Sequence, residues 1–167
     1  YIDLLLMETK AAKVQVGQSA NVPSIFFGGG TPSLMQPDDI GRVISTIKSE
    51  FILLPDAEIT MECNPDTVTK ESLAAFRAIG VNRVSFGMQS AVKHVLATLD
   101  RTHNPENLLQ VTTWAQEVGF SEISVDLIYG TPGESLADWQ TSIDAALALP
   151  ITHISAYALI VEEGTKL

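Results

Sequence analysis

The sequence is poor in cysteine, in basic residues and in long apolar runs, and each shortage excludes a class of protein. Cys63 is the single cysteine, so no internal disulfide can form. Ten basic residues against twenty acidic ones give a net charge of -10, which disfavours nucleic acid or an anionic membrane surface as the main partner. No apolar run approaches the roughly 20 residues of a membrane span, and no signal-peptide pattern is present, so we expect a cytoplasmic chain.

The length of 167 residues and the hydrophobic content of 46% allow one domain. Such a domain buries roughly two-thirds of its unfolded surface. The chain begins at Tyr1, already inside a helical pattern, and its last residues, 164–167, follow a strand-like run. We therefore expect residues 1–167 to be part of a single core domain that is truncated at both ends.

A glycine-rich turn follows the first strong strand signal. The apolar run of residues 25–27 stops at Gly28, Gly29 and Gly30, and Thr31 comes next. Without Cβ atoms the chain can adopt a positive φ and expose its bare N–H and C=O groups to a small polar ligand. Two interpretations remain open from these residues alone, a tight turn and a ligand site.

Strand and helix signals alternate along the whole chain. Strands are predicted at 24–27, 58–63, 82–86 with a continuation to 90, 122–128, and 153 to about 160. The helices between them have capping signals, and these are Pro37 and Pro105 as first residues and Asn104, Thr69 and Ser135 as caps. This pattern predicts an α/β fold with parallel strands. A doubly wound sheet and a barrel both satisfy it, and both place ligands beyond the C-terminal ends of the strands.

Polar side chains stand where three of these strands end. Glu62 ends the second strand, Gln89 the third, and Asp126, within SVDLIYG, the fourth. An unpartnered buried carboxylate is costly, so Glu62 and Asp126 must meet cations, hydroxyl groups or backbone donors. Together with the glycine turn, these groups suit an amino acid and a ribose.

Arg101 follows a short predicted helix and has two interpretations. Its planar guanidinium can donate two parallel hydrogen bonds to a ligand carboxylate. Alternatively, it forms a surface ion pair with Asp100 or Glu106, and the residues alone do not decide between the two.

Histidine and cysteine do not predict a metal site. No histidine has metal-ligand spacing to another, so His94, His103 and His153 are expected to be structural. Cys63 follows Glu62 on the opposite face of its strand and is expected to pack behind it.

Several segments, in this order, resemble a known family. They are FFGGGTPSLM, ITMECNPDTVT, RVSFGMQS, DRTHN and SVDLIYGTPGES. Together they are similar to the radical S-adenosylmethionine (SAM) core of the oxygen-independent coproporphyrinogen III oxidase-like proteins, from about Ser24 to the end. That family's core is a partial (β/α) barrel, so the resemblance implies a barrel of the radical SAM type that lacks its first strand and its cluster loop.

The resemblance also implies site residues. It places the glycine turn, Gly28 to Gly30 with Thr31, against the amino-acid part of S-adenosylmethionine, and Glu62 against the same cofactor. It implies ligand contacts for Gln89, Arg101 and Asp126, at positions where the oxidase relatives can hold a second S-adenosylmethionine. His94 and His103 become weak heme-ligand candidates only in this context.

The family's [4Fe–4S] cluster is held by three cysteines in a CxxxCxxC motif, which the resemblance places upstream of Tyr1. Cys63 alone cannot replace it, because such a cluster needs several converging thiolates. We therefore expect this fragment to bind no cluster and to be inactive, with the cluster present only in a longer parent protein.

The final run, HISAYALIVEEGTKL, is most similar to the heme-chaperone (HemW-type) branch of the family. It implies binding of heme and its delivery to heme-accepting proteins. The alternative is an oxygen-independent coproporphyrinogen III oxidase, which performs radical oxidative decarboxylation of porphyrinogen propionates. A rival of another class is a metal-free β/α module whose glycine turn holds phosphate, although Glu62 and Asp126 would repel that anion.

Overall fold

The computed structural model describes residues 1–17, 19–101, 105–162 and 164. Its strands are β1 Asn21–Phe27, β2 Ile52–Cys63, β3 Arg83–Gln89, β4 Glu122–Tyr129 and β5 His153–Ala158. Its helices are α1 Ile2–Val16, α2 Pro37–Glu50, α3 Lys70–Ala78, α4 Lys93–Thr98, α5 Asn107–Glu117 and α6 Leu136–Leu147, with a short 3-10 helix at Pro32–Leu34.

The strands form one parallel sheet in the order β1-β2-β3-β4-β5, so each strand pairs with its neighbours in the chain. Parallel neighbours need crossover connections, and the helices between the strands provide them. All five strands therefore point their C-terminal ends to the same edge of the sheet.

The two faces of the sheet differ in chemistry, because successive side chains on a strand point to opposite faces. Apolar side chains such as Met61, Val84 and Leu127 are fully buried on one face, in a core shared with α2, α3, α5 and α6. The other face carries small or polar residues. Along β3 and β4 these include Ser85, Gly87 and Asp126.

Local signals explain the helix ends well. Thr69 accepts a hydrogen bond from the Ser72 N–H at 3.2 Å and donates its own N–H to Ser72 Oγ at 2.9 Å, which completes a capping box. Ser135 and Asp138 form the second predicted box at the start of α6. Pro37 is the first residue of α2, as predicted.

Four predicted boundaries were wrong by two residues or more. β1 begins at Asn21, three residues before Ser24. β2 begins at Ile52, six residues before Glu58, because Ile52 and Leu53 pair with Asn21 and Val22 of β1 ahead of an irregular stretch. β5 ends at Ala158 rather than about 160. α5 begins at Asn107 with Glu106 as its N-cap, and Pro105 lies in the preceding turn; Asn104 lies outside the described residues.

None of the helices in the described ranges combines the length and the apolar character that a membrane crossing requires.

Candidate functional site

A cavity of about 300 Å³ opens at the C-terminal ends of β1 to β4. Seven of the eight site residues predicted from the sequence line it, although they are spread over roughly the whole middle of the chain. Its full lining is Gly29, Gly30, Thr31, Pro32, Glu62, Cys63, Asn64, Pro65, Asp66, Ser85, Gly87, Gln89, Asp100, Arg101 and Asp126. The parallel topology thus brings the predicted residues together, and Gly28 is the exception.

Gly28 belongs to the glycine turn but does not line the cavity. A Cβ at Gly28 would lie 2.5 Å from the Phe26 ring and 3.3 Å from the carboxyl carbon of Glu62, so a larger residue there would have to displace these side chains. Gly28 instead borders a second, apolar hollow beside α1 and α2. Its predicted contact with a ligand therefore has no support from the cavity geometry.

The next two glycines differ from Gly28 and from each other. Gly29 has φ +100°, a conformation that residues with a Cβ rarely adopt. Gly30 is not in that region, and a Cβ built on it meets nothing within 4 Å. Gly29 is therefore required by the backbone, whereas Gly30 leaves open space that a ligand can occupy.

Glu62 connects the tip of β2 to the glycine turn. The Gly29 N–H donates a hydrogen bond to Glu62 Oε2 at 3.2 Å. The turn and this carboxylate consequently form one unit at the mouth of the cavity.

Asp126 is a partly buried carboxyl on the polar face of the sheet, and it lies three residues before the end of β4 rather than at the end as predicted. The Ser85 hydroxyl lies 3.0 Å from both of its oxygens, and Ser124 Oγ lies 2.8 Å from Ser85 Oγ. Burial raises the pKa of Asp126, while hydrogen bonds from Ser85 and Ser155 act in the opposite direction. A ligand cation or hydroxyl donor would stabilise the ionised form.

Gln89 ends β3 in an irregular conformation. Its φ is +61°, which is unusual for a residue other than glycine. The register with β4 also shifts here, since Gly87 pairs with Asp126 and Gln89 with Leu127. Gln89 therefore reaches the cavity through a β-bulge rather than through regular strand geometry.

Arg101 lies just after α4, and its N–H donates to the Leu96 carbonyl at 2.9 Å. Asp100, the residue before it, has φ +54°. The ion pairs found within the described ranges do not include Arg101, so the alternative of a surface pair has no support there. Arg101 lines the cavity together with Asp100.

The cavity is acidic overall. Four carboxylates line it, from Glu62, Asp66, Asp100 and Asp126, against the single guanidinium of Arg101. This arrangement favours a ligand with net positive charge that also carries one carboxylate, and it disfavours phosphate.

Sequence reasoning missed five residues of the lining that matter for its polarity. Asn64 and Asp66 directly follow β2, the same position relative to a strand that singled out the predicted residues, so that signal could have found them. Ser85 and Gly87 share the polar face with Asp126 through strand alternation. Asp100 had no such signal, because a loop positions it.

The histidines lie outside the cavity lining within the described residues, whereas Cys63 borders the cavity from the core side. His94 Nε2 is 3.5 Å from Asp138 Oδ2 on the surface, and His153 begins β5. His103 lies outside the described residues. Cys63 packs in the core as predicted, and burial raises the pKa of its thiol. Within the described ranges, no three His, Cys, Asp or Glu side chains are grouped to hold a metal ion.

Comparisons with known proteins agree with this geometry. The model of the Radical SAM superfamily matches residues 3–146. The heme chaperone HemW of Mycobacterium tuberculosis (strain ATCC 25618 / H37Rv) is 45% identical over 161 residues, which cover 96% of this chain and 40% of that protein. The mitochondrial radical S-adenosyl methionine domain-containing protein 1 of Danio rerio is 38% identical over 154 residues, 92% of this chain and 35% of that protein.

Among solved structures, coproporphyrinogen III oxidase (HemN) from Escherichia coli, described as a Radical SAM enzyme, superposes with a TM-score of 0.82. The two chains are 26% identical, and the match covers 93% of this chain and 36% of the oxidase. The predicted partial (β/α) barrel is thereby confirmed. This chain spans about two-fifths of the length of the curated relatives that it matches.

Proposed function

Because this chain belongs to the Radical SAM superfamily, we propose that the cavity at the tips of β1 to β4 binds S-adenosylmethionine. The observation that carries the proposal is the composition of the cavity, in which bare glycine backbone, four carboxylates and one guanidinium surround a space of about 300 Å³. Ligand pockets begin at about this size.

The charges of the cofactor suit those of the cavity. S-adenosylmethionine carries a positive sulfonium, a positive ammonium and one carboxylate. In the proposed arrangement Arg101 binds the carboxylate, the backbone of Gly29 and Gly30 faces the amino-acid part, and Glu62, Gln89 and Asp126 accept from its ammonium and hydroxyl groups. Bound S-adenosylmethionine supplies radical chemistry to proteins of this kind, and these residues would bind and orient it.

The described residues do not fit a [4Fe–4S] cluster. Thiolate ligation needs several converging cysteines, whereas Cys63 is single, buried and held in its neutral form by a raised pKa. The function proposed for this chain itself is therefore binding of the organic cofactor.

For a protein of the length of the curated relatives, we propose heme binding and delivery of heme to acceptor proteins. The support is the 45% identity to a heme chaperone, against 26% to the coproporphyrinogen oxidase. Oxidative decarboxylation of a porphyrinogen is the second candidate, favoured by the TM-score of 0.82.

Isothermal titration of the chain with S-adenosylmethionine tests the cofactor site, and its stoichiometry distinguishes one bound molecule from two. Glu62→Gln should weaken binding about tenfold, because it removes the charge of a carboxylate at the cavity. Glu117→Gln is the control, since Glu117 pairs with Lys70 on the surface and does not line the cavity. Equal affinities of Glu62→Gln and the wild type, or displacement of the ligand by inorganic phosphate, would refute the site.

Hemin titration separates the two candidate functions in a protein of the relatives' length. A chaperone binds hemin and passes it to an apo-hemoprotein without consuming porphyrinogen. Turnover of coproporphyrinogen, measured as loss of propionate carboxyl groups, would instead support the oxidase.

A further inference from the structure

The end of β3 is built in an unusual way that the proposed binding site does not by itself explain. Met88 is an extra residue between Gly87, which pairs with Asp126, and Gln89, which pairs with Leu127. The Ser90 N–H donates to the Met88 carbonyl at 2.7 Å, closing a tight turn around Gln89 with its φ of +61°. Bulges of this kind re-aim a side chain, and strained backbone concentrates at functional sites.

The bulge directs the Gln89 side chain back over its own strand. Its amide nitrogen lies 2.8 Å from the point that a Cβ on Gly87 would occupy, and its carbonyl carbon lies 3.9 Å from that point. Gly87 has no positive φ, so its backbone does not demand glycine. What the glycine provides here is room for an amide.

This amide lies in the same cavity as a carboxylate held in a defined orientation. Asp126 is the register partner of Gly87 on β4, and both of its oxygens lie 3.0 Å from Ser85 Oγ. Ser85, Gly87, Gln89 and Asp126 all line the cavity. An amide offers both a donor and an acceptor, whereas a carboxylate offers acceptors only.

We propose that Gly87 is a positioning residue. Because it has no side chain, the Gln89 amide can lie beside Asp126, and the two groups together form hydrogen bonds to one polar part of the bound cofactor. The proposal rests on the cofactor site proposed above, and it adds to that site a residue that touches the cofactor only through Gln89. Neighbouring hydroxyl groups, or a hydroxyl beside an ammonium, are the ligand chemistry that such a pair recognises.

The test combines a double-mutant cycle with a signal from the amide itself. Gly87→Ala, Gln89→Ala and the double variant are titrated with S-adenosylmethionine, and the side-chain amide resonances of Gln89 are followed by NMR in the free protein. Gly41→Ala is the matched control, because a Cβ at Gly41 in α2 meets Ile79 at an ordinary 3.5 Å and lies outside the cavity.

In the expected result, Gly87→Ala folds, because the atom that it displaces is the end of a flexible side chain. It shifts the Gln89 amide resonances and raises the Kd for S-adenosylmethionine about tenfold, because about one hydrogen bond to the cofactor is lost. Gly41→Ala does neither. In the Gln89→Ala background, Gly87→Ala then leaves Kd unchanged.

Three results would overturn the proposal. They are unshifted Gln89 resonances in Gly87→Ala, an undiminished effect of Gly87→Ala on Kd in the Gln89→Ala background, and failure of Gly87→Ala to fold, which would show that the fold itself requires glycine. A wild-type chain that does not bind S-adenosylmethionine refutes the cofactor site instead. In that case the amide resonances alone decide whether Gly87 seats Gln89.

Discussion

Replacing Gly29 and Gly30 one at a time by alanine should separate a glycine that the fold needs from a glycine that the ligand needs. Gly29 has φ +100°, where an L-residue is strained by about 1–2 kcal/mol. Alanine also lowers the conformational entropy of the unfolded chain, which stabilises the folded state by about 0.4–1 kcal/mol. The net loss for Gly29→Ala is therefore about 1 kcal/mol.

Gly30→Ala should behave in the opposite way. Its backbone is outside the left-handed region and its Cβ meets nothing within 4 Å, so only the unfolded-state gain of about 0.4–1 kcal/mol remains. The added methyl group projects into the open space of the turn, which lies at the cavity, and should weaken S-adenosylmethionine binding.

Thermal unfolding followed by circular dichroism, together with calorimetric titration, measures both effects. Each kcal/mol corresponds to about 2–4 °C in Tm for a domain of this size. Gly80→Ala is the control, because Gly80 has φ +110° with nothing near its Cβ and lies outside the cavity lining. It should lose stability as Gly29→Ala does and keep its affinity. A Gly29→Ala variant as stable as the wild type, or a Gly30→Ala variant with unchanged affinity, would refute the reasoning.

Three further predictions concern pH, thiol reactivity and helix capping. Burial raises the pKa of Asp126 above its ordinary value of 3.8, so the folded state binds the carboxyl proton more tightly than the unfolded chain does. The free energy of unfolding therefore falls as the pH rises from 3.8 through the raised pKa. Denaturant titrations at several pH values measure this free energy, and in Asp126→Asn this part of its pH dependence should be lost. The same change of unfolding free energy with pH in both proteins would contradict the prediction. Cys63 should resist alkylation by iodoacetamide at neutral pH until the protein unfolds, because its thiol is buried and its pKa is raised; rapid labelling of the native protein would count against the core position. Thr69→Ala should lower the free energy of unfolding by about 1 kcal/mol, because it removes the side chain of the capping box. Thr141→Ala, on the exposed surface of α6, is the control and should not lower it. Equal losses in the two variants would argue against the capping box.

The sequence predicted the fold well wherever local chemistry decides structure. Caps at Thr69 and Ser135 were correct because a side chain and its nearby backbone satisfy each other. The start of β2 was missed because Pro55 and Asp56 are typical of turns, whereas here they lie in an irregular stretch of β2 between two segments that pair with β1. The start of α5 shifted because Leu108 bonds to the Pro105 carbonyl in a tighter turn before the helix begins.

The site was predictable only as far as the strand tips. Glu62 and Gln89 follow from their positions at strand ends, since parallel strands bring those ends together. Asp126 lies three residues before the end of β4 and reaches the cavity through strand alternation, because it shares the polar face with Ser85. The role of Gly87 depends on a bulge and on the path of a side chain from two residues later, which no local pattern reveals. Asp100 enters through loop geometry, and Gly28 packs against the Phe26 ring outside the cavity lining.

The order of the strands across the sheet has a consequence for biosynthesis. Since neighbours in the sheet are also neighbours in the chain, the sheet can grow strand by strand as the polypeptide leaves the ribosome. The pocket, however, is complete only after Asp126 has emerged, so a nascent chain halted earlier lacks part of the pocket lining. A small molecule that binds in the pocket contacts several strands at once and stabilises only the folded state. Its binding would therefore protect distant parts of the sheet against proteases.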